Sequence, residues 1–144
     1  MSEDAQKLAK AIAKIAQKDG EYPILQSHMR LYRSSDPSRP MPCMYFFGLG
    51  ITASGRKDIM IGNTVYPMQP GQVMLPPADL PVITSVTHAT PDQPYLGLWI
   101  DLDIRLMGEL AIEIPAPKPA PGDELSCVNV ITLDSGINDA VIRL

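Results

Sequence analysis

Between Tyr45 and Asp103 the apolar residues come in short runs, each closed by a turn signal: Ser54-Gly55-Arg56-Lys57, Gly62-Asn63, Pro70-Gly71, Pro76-Pro77 with Asp79-Leu80-Pro81, and Thr90-Pro91-Asp92-Gln93-Pro94. Gly and Asn supply the positive φ of tight hairpins, Pro presets φ and is excluded from ladder positions, and the intervening Val, Ile, Thr, Tyr and Phe suit a pleated, half-buried surface. The pattern predicts strands over Tyr45 to Ala53, Lys57 to Ile61, Thr64 to Met68, Gln72 to Leu75, Val82 to Thr87 and Tyr95 to Leu102. In the last of these Leu96, Leu98, Ile100 and Leu102 alternate with Tyr95, Gly97, Trp99 and Asp101, and the leucine face reads as core. An entering strand over Leu25 to Arg33 and a polar loop from Ser34 to Pro40 precede the series. These runs predict a β-rich sandwich or small barrel, with function inside it.

The ends of the chain follow a helical period instead. Ser2 can cap a helix with Glu3 and Asp4 in its first turn and Lys7, Lys10, Lys14 and Lys18 further on. Leu8, Ile12 and Ile15 form its apolar stripe, which ends at Asp19-Gly20 and is expected to cover the β-structure rather than a membrane. Asp103 can cap a second helix over Ile104 to Ile112, and the Pro115 to Gly122 run reads as an extended connector. A strand over Leu125 to Ile131 and a capped helix from Asp134 follow. That last helix stops after roughly two turns, too short to be stable alone, so the natural protein is expected to continue.

Composition narrows the class of function. The 144 residues suffice for one domain burying about 70% of its unfolded surface without a disulfide or metal staple. A formal charge of -4 and a pI near 5.0 argue against a nucleic-acid surface on this chain, because phosphate binding requires clustered Lys and Arg. No run approaches the roughly 18 apolar residues of a membrane span, and no secretory core opens the chain, which places it in the cytoplasm. Cys43 and Cys127 lack CxxC spacing and read as free buried thiols.

Catalytic chemistry finds little support. A catalytic zinc or iron site wants three protein ligands, and the chain offers only His28 and His88, so no metal or cofactor is expected. Asp101 and Asp103 read as a strand-end charge and a helix cap rather than an acid-base pair. Gly48-Leu49-Gly50 reads as glycines thinning one strand face for close packing. Arg56-Lys57 reads as solvated hairpin charge, with a contact to an anionic effector as the alternative, and Met60, Met68 and Met74 as core filler or as an adaptable pocket.

The order and spacing of several pieces are more specific than any one of them. Leu31-Tyr32-Arg33, Gly55-Arg56-Lys57, Gly62-Asn63-Thr64-Val65-Tyr66, Pro70-Gly71-Gln72, Asp79-Leu80-Pro81-Val82 and Pro94-Tyr95-Leu96-Gly97-Leu98 leading to Asp101-Leu102-Asp103 together resemble the amino-terminal domain of the AraC family of bacterial transcription regulators. The resemblance implies a mainly β, cupin-like double-stranded β-helix, or jelly-roll barrel, that senses an effector or mediates dimerisation. It implies DNA binding only through a C-terminal helix-turn-helix domain absent from this chain. On that basis residues 1–20 are the amphipathic helix packing on the barrel, 21–112 the sensor barrel, 113–124 the Pro-rich connector, and 125–144 the final strand and the start of a linker or dimerisation helix. The barrel is thus flanked by C-terminal helices.

The ligand-contacting residues expected inside are Ile83, Leu96 and Leu98, with Arg39 at the mouth and Phe47 or Trp99 as an aromatic wall. An apolar interior of that kind favours a small hydrophobic or carbonyl-bearing effector, and a homodimer is the expected assembly. The alternatives are a stand-alone cupin enzyme, isomerase or oxygenase, and a ligand-free dimerisation module. A register error of one residue would exchange the two faces of every strand.

Overall fold

In the computed structural model, residues 3–24, 28–76, 79–103 and 129–132 and the single positions 105, 109 and 142 are described. They form one helix, α1 (Glu3–Ile15), and ten strands: β1 (Gly20–Ile24), β2 (Met29–Ser34), β3 (Met41–Tyr45), β4 (Gly48–Ser54), β5 (Arg56–Ile61), β6 (Thr64–Met68), β7 (Gln72–Leu75), β8 (Leu80–His88), β9 (Tyr95–Asp101) and β10 (Asn129–Thr132). Six strands make one sheet in the order β1-β2-β9-β4-β7-β10, four make the other in the order β3-β8-β5-β6, and every pairing is antiparallel. The fold is therefore mainly β, as the turn spacing requires.

The chain crosses between sheets where its turn residues allow it. Gly55, with φ of +77°, carries the backbone from β4 in the large sheet to β5 in the small one. A Cβ there would lie 2.7 Å from the His88 carbonyl oxygen and 2.8 Å from Tyr95 Cα, so both conformation and space demand glycine. The long strand expected over Tyr45 to Ala53 is in fact two, since the break at Phe46-Phe47 sends β3 to the small sheet and β4 to the large one. The entering strand is likewise a hairpin, β1 against β2, with Gly20 paired to Arg33.

Helix α1 covers the outer face of the large sheet. Leu8, Ile12 and Ala16 fall at helical spacing and pack with Met29 and Leu31 of β2, Ile51 and Ala53 of β4, Val73 of β7 and Leu96 and Leu98 of β9. Ile15, expected in the stripe, is exposed. Burying Leu8 and Ile12 contributes about 1.5 to 3 kcal/mol each, which a helix of this length needs to persist. Its acidic first turn and Lys14 in its last suit the helix dipole, and the Arg33 guanidinium donates to the Ala16 carbonyl just beyond its end at 3.1 Å.

A second cluster lies between the sheets, where Ile59, Met68, Met74 and Val82 pack with Tyr45, Ile61, Tyr66 and Leu80. Strand β10 lies beside β7, and Leu125 to Val128, the start of the strand expected there, lie outside the described residues. The helices expected after Asp103 and Asp134, the proline connector, Ser2 and Cys127 lie outside the described residues apart from isolated positions.

Candidate functional site

Between the inner faces of the two sheets is a cavity of about 610 Å³. Three glycines make the room on its large-sheet side. Gly48 and Gly50 of β4 lie under Trp99 of β9, and a Cβ on Gly48 would be 2.5 Å from Trp99 Cζ2 and 2.7 Å from the Ile100 carbonyl oxygen. Gly97 does the same for Tyr95, whose hydroxyl would be 2.6 Å from a Cβ at that position. The two aromatic rings can therefore fold down against the sheet and leave the space above them open.

Trp99 is held at both ends. Its indole Nε1 donates to Asp101 Oδ1 at 2.9 Å, and its ring lies 5.0 Å from that of Tyr45 on β3 at a tilt of 38°. Asp101 also faces Arg30 Nη2 at 3.4 Å, and Arg30 reaches Glu21 at 3.8 Å, so the charges at this end are paired among themselves. The Tyr95 hydroxyl lies 3.3 Å from Thr52 Oγ1 in the buried interior of the large sheet.

Lys57 enters from the small sheet. The β5–β8 register shifts between Arg56, opposite His88, and Lys57, opposite Val86, with Thr87 taken up in the irregularity. Lys57 thus shares the inward face with Ile59, and its ammonium lies 5.6 Å from the Tyr45 ring centroid and 5.9 Å from that of Tyr95. Burial presses this ammonium toward its neutral form, but the Tyr95 and Tyr45 hydroxyls more than offset that, and its pKa lies above the ordinary lysine value. Burial raises the Tyr45 hydroxyl, with Lys57 pulling the other way, and burial likewise raises Tyr32. Lys57 is therefore a charged ammonium in this wall, alongside Arg30 and Arg33, which are held in ion pairs. Among the described residues no carboxylate forms an ion pair with Lys57, whereas Arg33 and Arg56 each have one and Arg30 has two.

Most of the rest of the wall is apolar or weakly polar, with Met41, Met68 and Met74, Ile59 and Val86, and Thr84 and Ser34 between them, and Arg30 and Arg33, both in ion pairs, also border it. Cys43 also borders the cavity, and it is exposed on edge strand β3 instead of buried as its type suggests. Among the described residues no group of three His, Cys, Asp or Glu side chains could hold a metal ion. No described helix is long and apolar enough to cross a membrane.

The expected ligand contacts are distributed differently from the sequence reading. Trp99 is in the cavity wall, and Leu98 contributes to its boundary while packing in the helix-side core. Leu96 is wholly in that core, Ile83 is on the outer face of the small sheet, and neither Arg39 nor Phe47 borders the cavity. Strand parity explains the difference. The leucines of β9 are core, but the core they enter is under α1, so Tyr95, Gly97 and Trp99 are the residues that look inward. Lys57, Tyr45 and Tyr95 were missed as a group. Their signal was present in the alternation of glycine with aromatic residues on β9 and the glycine pair on β4.

The family model for the AraC-type transcriptional regulator N-terminus matches residues 26–144. The chain belongs to that family. Two solved structures of ToxT from Vibrio cholerae are similar in fold. One aligns with a TM-score of 0.57 at 13% identity over 80% of this chain, and an apo single-substitution variant with 0.53 at 7% over 79%. In both cases the chain spans 45% of the ToxT polypeptide, less than half its length. No curated protein sequence matches the chain.

Proposed function

We propose that this AraC-type domain is a sensor. A small molecule entering between the sheets binds against Trp99, Tyr95 and Tyr45 and changes how a DNA-binding domain elsewhere in the regulator is presented. The observation that carries the reading is Lys57: a cation without a carboxylate partner among the described residues, set in an otherwise largely apolar cavity. The rings and hydroxyls that hold this ammonium supply no anion, and a lysine ammonium has three donors, so the arrangement keeps room for an occupant that brings an acceptor. The effector is then a compact apolar body with a carbonyl or carboxylate group, its body on Trp99 and the methionines and its acceptor on Lys57. A volume of about 610 Å³ falls within the range of small-molecule sites.

The mechanism requires no bond chemistry. An effector shifts an equilibrium between arrangements only by its difference in affinity for them, typically about 1 to 3 kcal/mol. The two antiparallel sheets enclosing one cavity, together with the family match, support a cupin-like double-stranded β-helix for the container. Bacterial cytoplasm is the compartment such a regulator works in, and DNA contact is assigned to a helix-turn-helix domain rather than to this acidic chain.

The test is a titration with apolar ketones, amides and carboxylates, read by Trp99 emission and by melting temperature. The chain has a single tryptophan, so the signal reports the cavity alone. Binding by at least one class, abolished by Lys57→Met, is the expected result. A flat response from every compound would remove the sensor reading.

A further inference from the structure

Cys43 is the free thiol among the described residues, and it stands in the wall of the cavity. Met41, Cys43 and Tyr45 alternate along β3, so the three share the face that the cavity borders. Strand β3 is an edge of the small sheet, with β8 as its neighbour on the other side. Met41 is 59% exposed and Phe46, just past the strand, 49%, and both border the cavity, which therefore opens along this edge. A molecule entering there passes Cys43. The sulfur has the Met44 carbonyl oxygen at 3.9 Å, a weak donor contact that leaves its lone pairs unengaged.

We propose that Cys43 captures electrophilic effectors covalently: an apolar α,β-unsaturated ketone or aldehyde lies on Trp99 with its carbonyl oxygen on the Lys57 ammonium, and the Cys43 sulfur adds to its β-carbon. The feature that turns a thiol into a site is Lys57, a cation aimed into the same cavity with no carboxylate partner among the described residues. Burial works against the Lys57 charge, the Tyr95 and Tyr45 hydroxyls work for it, and Cys43 adds to their side, which places the thiol within electrostatic reach of the ammonium. The two groups supply what conjugate addition needs, a soft nucleophile and a donor at the oxygen where charge develops. The thiol gives its proton to water and a sulfur–carbon bond forms at the β-carbon. The carbon–carbon π pair moves through the conjugated system and leaves negative charge on the oxygen, where the ammonium stabilises it. The enolate then returns to the carbonyl form as its α-carbon takes a proton from water. The net change is addition of S–H across the double bond, so no group leaves and no oxidant or reductant is consumed. The thioether holds the occupant in a cavity whose mouth is open.

The inference rests on the sensor reading and narrows its effector to electrophilic carbonyl compounds. The probe is benzalacetone, an apolar aromatic enone, with its saturated analogue benzylacetone as the unreactive match. Intact-mass and peptide mass spectrometry follow the adduct, and Cys127, the second cysteine of the chain, is the internal reference. A single addition at Cys43 is expected, with a rate that levels off as benzalacetone is raised and that falls when benzylacetone is present. Lys57→Met should slow the addition about tenfold or more, as loss of a donor to a developing oxyanion does. Iodoacetamide, which has no apolar body, should label Cys43 in simple proportion to its concentration, and Lys57→Met should slow that labelling far less. Saturation and protection are read on the wild-type chain, so they decide the matter even where the variant fails to fold. Labelling by benzalacetone that rises linearly without protection, or that falls first on Cys127, would overturn the capture site. Trp99 emission titrated with benzylacetone separates the two readings: a response alongside unsaturable labelling sinks capture and leaves the sensor, whereas silence in both sinks the pair.

Discussion

Replacing Gly48 with alanine tests whether the cavity exists because glycine lets Trp99 lie flat. Two effects oppose each other. Alanine narrows the unfolded ensemble and by itself would stabilise the protein by about 0.4 to 1 kcal/mol. Against this, the new methyl would approach Trp99 Cζ2 to 2.5 Å and the Ile100 carbonyl oxygen to 2.7 Å. The indole can tilt, but the carbonyl belongs to the β4–β9 ladder and gives way only by bending it. Overpacking of that kind costs about 1 to 3 kcal/mol, so the clash wins and the net loss is about 1 to 2 kcal/mol. For a domain of this size that is a fall in melting temperature of about 4 to 7 °C. Gly50→Ala supplies the contrast, since its methyl would meet only ring atoms of Trp99, at 3.1 and 3.2 Å, and the ring can shift by that little. Its stability should stay within about 0.5 kcal/mol of wild type, the range of an unremarkable substitution. Urea unfolding followed by the emission of the single tryptophan measures both variants. A Gly48→Ala protein with wild-type stability and an unchanged spectrum would refute the packing argument.

Lys57→Met should lower the melting temperature by a few degrees, because a folded-state pKa above the ordinary lysine value means that the fold favours the charged ammonium; a variant that melts at or above the wild-type temperature in differential scanning calorimetry would refute this. Stability should fall as pH rises past about 10: Lys57, Tyr45 and Tyr32 all have raised folded-state pKa values, so the folded chain holds more protons than the unfolded one and loses ground as they titrate. The combined Lys57→Met, Tyr45→Phe variant should flatten that limb in a melting series from neutral to alkaline pH. Leu8→Ala, at a side chain 2% exposed under the large sheet, should cost about 2 to 4 kcal/mol by urea unfolding while leaving any probe affinity at Trp99 intact, because the helix-side core and the cavity are on opposite faces of that sheet.

Much of the fold follows from local chemistry, which is why it was legible residue by residue. The turns at Gly55, Gly62 and Gly71 are positions where φ is positive, the one at Gly62 closing a hairpin and the other two crossing between sheets, and β5, β6 and β7 span the residues that the turn signals enclose, apart from Arg56 at the start of β5. The alternation in β9 correctly marked two faces. It did not say which face met which neighbour, because a pleated strand buried on both sides has no polar side to orient it. That choice rests on α1, which covers the leucine face and leaves Tyr95 and Trp99 to the cavity.

The sequence by itself determined the class of the protein: a turn-punctuated β domain with an amphipathic helix at its start. Only the tertiary structure decided where its inside was. Break points between sheets, the irregularity at Arg56-Lys57 and the depth left by three glycines depend on contacts between residues far apart in the chain. Pattern along a strand specifies alternation, but the identity of the layer packed on each face is a property of the assembled sheets.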